Sequence, residues 1–250
     1  MKRIVEATII TISLLLYFSC HTEKKMYHKD IQNKNVSDSL YELLLDDARI
    51  ITISHLLCSQ KEEKHNITLP DQNIKAVLIA LQCLYTSKDK TPLLIQKLAI
   101  HAQCPQQLYQ LKIHANHKNP SIKAWINEKP TGSAQLDGLI STYNLSLQTI
   151  DSNIFIVSSR KRLNTWALAE HLQQNPFITQ TKPIPCLNNE SQITLIDLNY
   201  SYLDFGFSYD WGDCSSGYIY HHFWTIRISS NGEWELLKEK GDPLPITSKF

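Results

Sequence analysis

The chain has 250 residues, enough for one large domain or two small ones, and its 42% apolar and 20% charged residues exclude an extended disordered or fibrous protein. Its 25 basic and 24 acidic side chains almost cancel, so it lacks the electrostatic footprint of a nucleic-acid binder. The 7 glycines form neither a phosphate-binding loop nor a dinucleotide fingerprint, and no cofactor is expected.

Lys2 and Arg3 precede an apolar stretch from Ala7 to Phe18, which ends in Ser19 and Cys20. This is the layout of a secretory signal over residues 1–19. About twelve apolar residues fall short of the about 20 that a helix needs to cross roughly 30 Å of hydrocarbon, so removal is expected rather than a permanent span. The run Tyr17-Phe18-Ser19-Cys20 resembles a bacterial lipobox, with Tyr17 where Leu or Val is usual. The resemblance implies that Cys20 takes a diacylglyceryl group and becomes the new N-terminus; plain secretion with cleavage nearby is the alternative. Cleavage before Cys20 removes Lys2, Arg3 and Glu6, leaving a mature chain without formal net charge. Acyl chains, not a basic patch, would then supply membrane affinity. Residues 20–36 are polar and aperiodic and read as a flexible tether. The expected location is the bacterial cell envelope, lipid-anchored, in the periplasm or at the surface.

Five further cysteines, Cys58, Cys83, Cys104, Cys186 and Cys214, leave the disulfide pairing open in an oxidising compartment. Cys58 and Cys83 lie within apolar helical patterns, where a thiol buried as a small hydrophobe is expected.

Residues 37–143 read as mainly helical. Ser37 or Asp38 caps a helix to about Gln60, with Leu40, Leu43, Leu44, Ile50, Ile51, Ile53, Leu56 and Leu57 on its stripe. Leu69-Pro70-Asp71 opens a second helix to near Ser87, with Ile74, Val77, Leu78, Leu81 and Leu84 at three- and four-residue steps. These two apolar faces should pack on each other. Pro92 to His101 is a helix or an irregular connector, and Leu108 to Ala115 alternates as a strand. A turn at Asn119-Pro120, a short helix over Ile122 to Asn127, a loop at Pro130-Thr131-Gly132 and a helix over Asp137 to Tyr143 follow.

Residues 144–250 read as an α+β, sheet-rich region. Strands over Leu145 to Thr149 and Asn153 to Ser158, a helix over Leu163 to Gln174 capped by Asn164, and a strand over Phe177 to Thr181 make a β-β-α-β unit. One more layer is expected to cover it, from the first long helices or a neighbouring sheet. Thr194 to Asn199, Tyr202 to Tyr209, Tyr220 to Ile228 and Trp234 to Lys238 are strands, the last pair an antiparallel hairpin turning at Ser230-Asn231-Gly232. The fold class is therefore α+β, an N-terminal helical part packed with a C-terminal antiparallel or mixed sheet.

The segment from Trp211 to Trp224 gathers Gly212, Asp213, Cys214, Gly217, His221 and His222 into a short stretch. It resembles a G-D-C-x-x-G-C element of a family of uncharacterised bacterial secreted and lipid-anchored proteins, with Tyr218 where the family often has its second cysteine. Asp46-Asp47-Ala48-Arg49, Ile100-His101, Thr131-Gly132, Leu136-Asp137-Gly138-Leu139, Tyr143 and Gly241-Asp242-Pro243 extend the likeness. It implies a compartment and an architecture but no reaction.

From the residues alone, the motif reads as a tight turn in which Gly212 and Gly217 take positive φ, Asp213 bonds backbone amides, and Phe223 and Trp224 lie on opposite faces of the next strand. Two chemical readings compete: metal ligation by Asp213, Cys214 and one of His221 or His222, or a Cys214 nucleophile activated by a histidine. His221 and His222 point to opposite faces of a strand, so at most one can share a site with Cys214. His114 and His117 are expected to be solvated, and His101 satisfied and partly buried. Residues Leu163 to Pro183 also look like part of a subtilisin-type prodomain, against the commoner reading of an ordinary packing unit with Trp166, Leu168 and Leu172 as core.

The functional expectation is a lipid-anchored envelope protein acting as a non-catalytic binding or interaction module. Its partners would be the membrane, through the anchor at Cys20, and an envelope protein. The rival is a cysteine- or metal-dependent envelope hydrolase using Cys214, Asp213 and His222.

Overall fold

The computed structural model describes residues 36–59, 61–185, 191–212 and 218–245. It is an α+β protein with two antiparallel four-stranded sheets.

Helix α1 runs Asp38–Cys58, started by Ser37, whose hydroxyl accepts from the Leu40 N–H. It buries Leu44, Ala48, Ile51 and Leu56 along one stripe. Helix α2, Asp71–Tyr85, is buried almost all round from Asn73 to Tyr85 and so forms the centre of the helical layer. The stretch with two readings after Lys90 is a helix, α3, over Lys90–Lys97. Pro92 is tolerated because it lies in the first turn, where its missing N–H has no partner to lose. Among the described residues no helix is long and apolar enough to cross a membrane.

Strand β1 (Gln110–Ala115) follows a 3-10 turn at Pro105–Leu108. Helices α4 (Pro120–Ile126), capped by the Asn119 side chain, and α5 (Ala134–Tyr143), capped by Ser133, lead to strands β2 (Leu145–Asp151) and β3 (Ile154–Ser159). Helix α6 (Thr165–Gln173), capped by Asn164, and strand β4 (Ile178–Pro183) complete the unit. The strand order is β2-β3-β1-β4, all antiparallel, which is the split β-α-β-β-α-β arrangement. The β-β-α-β unit read from the sequence is thus completed by the earlier strand β1, which inserts between β3 and β4. Its covering layer comes from within. Ile122, Trp125 and Leu136 on α4 and α5 and Leu168 and Leu172 on α6 bury Leu111, Phe155 and Val157, so the expectation that the long helices or another sheet cover it is corrected.

Strands β5 (Gln192–Leu198), β6 (Tyr202–Trp211), β7 (Tyr220–Ser229) and β8 (Trp234–Gly241) form an antiparallel meander in sequence order. Its inner face carries Leu203, Phe205, Phe207, Trp224, Ile226 and Ile228, which share one core with Leu44, Ile51, Val77 and Leu81 of α1 and α2. The chain therefore leaves this first core after Leu108, builds the split unit around a second core, and returns at Ile193. The boundary drawn from the sequence at 143/144 falls between α5 and β2, inside the split unit.

The two cores meet at a neck of polar contacts. The Arg162 guanidinium donates to both carboxylate oxygens of Asp46 (3.1 and 2.9 Å), and the Arg49 guanidinium also donates to Asp46 (2.7 Å). The Asn164 side chain donates to the carbonyls of Lys64 (2.8 Å) and Asn66 (3.1 Å) while its oxygen caps α6. Cys83 is a buried thiol, as expected; Cys58 is exposed, because the last turn of α1 rotates it off the buried stripe.

Separate cores predict independent responses. Ile226→Val in the first core and Ile113→Val in the second should each cost about 0.5–1.5 kcal/mol, and the double variant should match their sum within about 0.5 kcal/mol. Urea unfolding of the three variants checks this.

Candidate functional site

The meander is longer than the helical layer that covers it. Past Phe207 and Trp224 the register continues with Tyr209 opposite His222 and Trp211 opposite Tyr220, so two-residue steps keep these side chains on the inner face. Tyr209, Trp211 and Tyr220 stack one on the next, with ring centroids 5.4 and 5.6 Å apart. Against this ladder lies the segment after α3, bent by left-handed backbone at Ala99 (φ 49°) and Cys104 (φ 66°). Between them is a cavity of about 510 Å³, lined among others by His101, Cys104, Ser191, Tyr209, Asp210 and Trp211.

His101 is fixed from behind. Asp47 on α1 is buried, its side chain 3% exposed, and its Oδ2 accepts from the His101 Nδ1–H (2.7 Å) while its Oδ1 accepts from the Ala102 N–H (2.9 Å). The imidazole is 22% exposed and stacks on Tyr85, whose hydroxyl donates to the Ile100 carbonyl. Burial pushes the Asp47 carboxyl above the ordinary range, opposed by the bonds from His101 and Ala102. Burial, and then the nearby Asp47, push the Tyr85 phenol up, which keeps it a neutral donor. A proton on Nδ1 leaves Nε2 of a cavity-lining ring to accept a hydrogen bond or a proton from a ligand. The bond to a buried carboxylate holds the ring in that orientation. Across the cavity Asp210 accepts from the His221 Nδ1–H (2.7 Å).

This pairing spans 54 residues and is invisible to local patterns. One signal existed: Asp47 sits three residues after Leu44 and four before Ile51, a carboxylate on an apolar stripe.

Cys20, Asp213, Cys214 and Gly217 lie outside the described residues. Gly212, the last described residue before that segment, has φ 119°, a positive value that favours glycine. Trp224 is 1% exposed in the first core, whereas Phe223 is 38% exposed on the opposite face with the Lys240 ammonium 5.3 Å from its ring. His221 and His222 separate to opposite faces in the same way. His222 is buried, with Nδ1 2.8 Å from the Asp242 carbonyl and Nε2 3.1 Å from Glu239 Oε1, which also accepts from the Trp224 indole N–H (3.2 Å). With acceptors at both nitrogens, that ring turns no lone pair toward a thiol. His114 is half-buried and His117 exposed. Among the described residues no three His, Cys, Asp or Glu side chains are grouped to hold a metal ion. Cys104 forms a disulfide bond that involves neither Cys58 nor Cys83.

The other residues of the sequence likeness also pair. Asp46 binds Arg49, Asp137 Oδ1 accepts from both the N–H and the hydroxyl of Thr131 (2.8 Å each), and Asp242 Oδ2 accepts from the His221 N–H (3.0 Å). Gly241, at φ 133°, permits that last approach, since a Cβ there would collide with the His221 carbonyl. Comparison with protein-family models, with curated proteins and with solved structures gives no match.

Asp46 sets an acid limb of stability. Partial burial raises its pKa, but hydrogen bonds from Arg162 and Arg49 and their charges outweigh this and hold the carboxyl below 3.8. A depressed carboxyl contributes stability that is present above 3.8 and lost as pH falls through the lower folded value. Asp46→Asn should cost about 0.5–1 kcal/mol at pH about 7 after allowance for solvent screening, and should flatten the loss of stability below pH about 4. Urea midpoints at neutral and acid pH check both.

Proposed function

We propose that this chain is an exported, lipid-anchored α+β protein of the bacterial envelope that works as a non-catalytic binding module, taking its ligand in the cavity between the segment after α3 and the end of the meander. The observation that carries the binding role is the composition of that cavity: an aromatic ladder on one wall and, on the other, an imidazole held by a buried carboxylate. Apolar faces with a few fixed polar groups characterise small-molecule pockets. Support for export comes from the signal-like residues 1–19 and from the Cys104 disulfide, which suits an oxidising compartment. The hydrolase alternative on Cys214, Asp213 and His222 is disfavoured by the acceptors at both nitrogens of His222.

Lipidation is tested in a bacterial host by detergent-phase partitioning and by the mass of the N-terminal peptide. The native chain should enter the detergent phase with an acylated Cys20, and Cys20→Ser should stay aqueous; an unmodified thiol in the native protein would rule the anchor out.

The cavity is tested by purifying the native chain and a Tyr209→Ala/Trp211→Ala variant under identical conditions and identifying co-extracted small molecules by mass spectrometry. A compound retained by the first and lost from the second is expected. Identical extracts from both would rule this cavity out as the ligand site.

A further inference from the structure

A strand at the border of a sheet leaves the backbone N–H and C=O groups of alternate residues facing outward, and proteins block such edges with charges, prolines, bulges or a covering helix. Three of the sheet edges in this fold are blocked in these ways. Strand β4 carries Lys182 and ends in Pro183, β8 carries Glu235, Lys238, Glu239 and Lys240, and β5 bulges between Leu195 and Asp197 and packs against α1.

Strand β2 is open. From Leu145 to Thr149 it keeps regular register with β3, and from Leu145 to Ile150 it has neither a charge nor a proline. Ser146, Gln148, Thr149 and Ile150 are exposed, Ile150 at 57%. Among the described residues no backbone hydrogen bond reaches this strand from its outer side. A second cavity, of about 890 Å³, lies beside it, lined among others by Ile126, Ile140, Ser146 and Leu147. The polar side chains of that lining are of both kinds, acceptors such as Glu128 and donors such as Lys129, which suits a group that both donates and accepts. An extended polypeptide meets these conditions, because its backbone offers both in alternation to an open strand edge.

Charge selects which polypeptide. Arg160 directly follows Ser159, the register partner of Leu145, and lines the cavity with Ser146, so an exposed cation marks the start of β2. Asp151, exposed, marks its end, with Oδ1 accepting from the adjacent Ser152 N–H (2.6 Å). Neither Arg160 nor Asp151 forms an ion pair among the described residues. A two-fold axis through the middle of β2 lays the start of one strand on the end of another. Each Arg160 then meets the Asp151 of the second copy, and the uncharged run between them meets itself without like-charge contact.

We propose that two copies of this chain associate through β2, pairing antiparallel so that the two split-unit sheets become one continuous sheet with reciprocal Arg160–Asp151 ion pairs at the junction.

Sedimentation velocity of the full chain in excess detergent micelles, from about 1 to about 300 µM, reads the association. A monomer–dimer equilibrium is expected. Gln148→Lys, at the middle residue of β2, sets like charges against each other and should weaken it about three- to tenfold. Arg160→Asp should weaken it about tenfold, and adding Asp151→Arg should restore the native affinity within about threefold, which a merely local defect would not. All three side chains are exposed, so the substitutions spare the core, and circular dichroism monitors the fold. A chain that stays monomeric throughout the range, including one whose β2 edge is taken by an extended segment of a different protein, would overturn the proposal. So would a dimer indifferent to Gln148→Lys, or a charge exchange that fails to restore affinity. None of these outcomes bears on the first cavity, which shares no lining residue with the second.

Discussion

The fold depends on covering a helix that is apolar almost all round. Helix α2 has no polar face to give to water, so α1 can shield only part of it and a second layer must shield the rest. That layer is the meander β5–β8, which begins over a hundred residues further on, with Phe205, Phe207 and Trp224 turned inward. Apolar burial in this shared core stabilises at about 25 cal/mol per Å² of buried apolar surface. They also impose a geometric condition: whatever lies between residues 108 and 193 must leave and re-enter at the same edge of that core.

The split β-α-β-β-α-β unit meets that condition. It contains its own covering helices, with Ile67 from before α2 joining its core and Trp166 of α6 packing against the first, and its first and last strands, β1 and β4, are hydrogen-bonded neighbours. The neck is correspondingly polar. The Gln107 side chain donates to the Ile184 carbonyl (2.7 Å) and that of Gln103 to the Ser191 carbonyl (2.7 Å), tying the outgoing chain to the returning one. Asp46, with Arg49 on its own helix and Arg162 on the far side of the neck, adds a charge-assisted clasp between units.

The first cavity is a product of the same closure. The meander outruns the helices, its inner face ends in Tyr209, Trp211 and Tyr220, and the segment at the neck passes opposite them. That segment would be a loose connector but for Asp47, which accepts from His101 and from the Ala102 backbone. A buried carboxylate is costly unless its lone pairs are used, and here the residues that use them also form the cavity wall. Stability and site geometry thus meet in one side chain.

The amino-acid order alone determined most elements, because the periods of 3.6 and 2 and the caps Ser37, Asn119 and Asn164 are local properties of the chain. It also determined that His221 and His222, like Phe223 and Trp224, part to opposite faces, and that Gly212 takes positive φ, while the burial of Trp224 rather than Phe223 came from the packing. It did not determine that β1 lies between β3 and β4, nor that the first helices and last strands share a core, since both depend on pairings between segments far apart along the chain. The 143/144 boundary followed composition, which reports where helices give way to strands and not which elements pack together. The Asp47–His101 pair and the open edge of β2 were decided only by tertiary structure. Burial and the presence or absence of a partner are properties of the space around a side chain, and no residue's neighbours in sequence specify them.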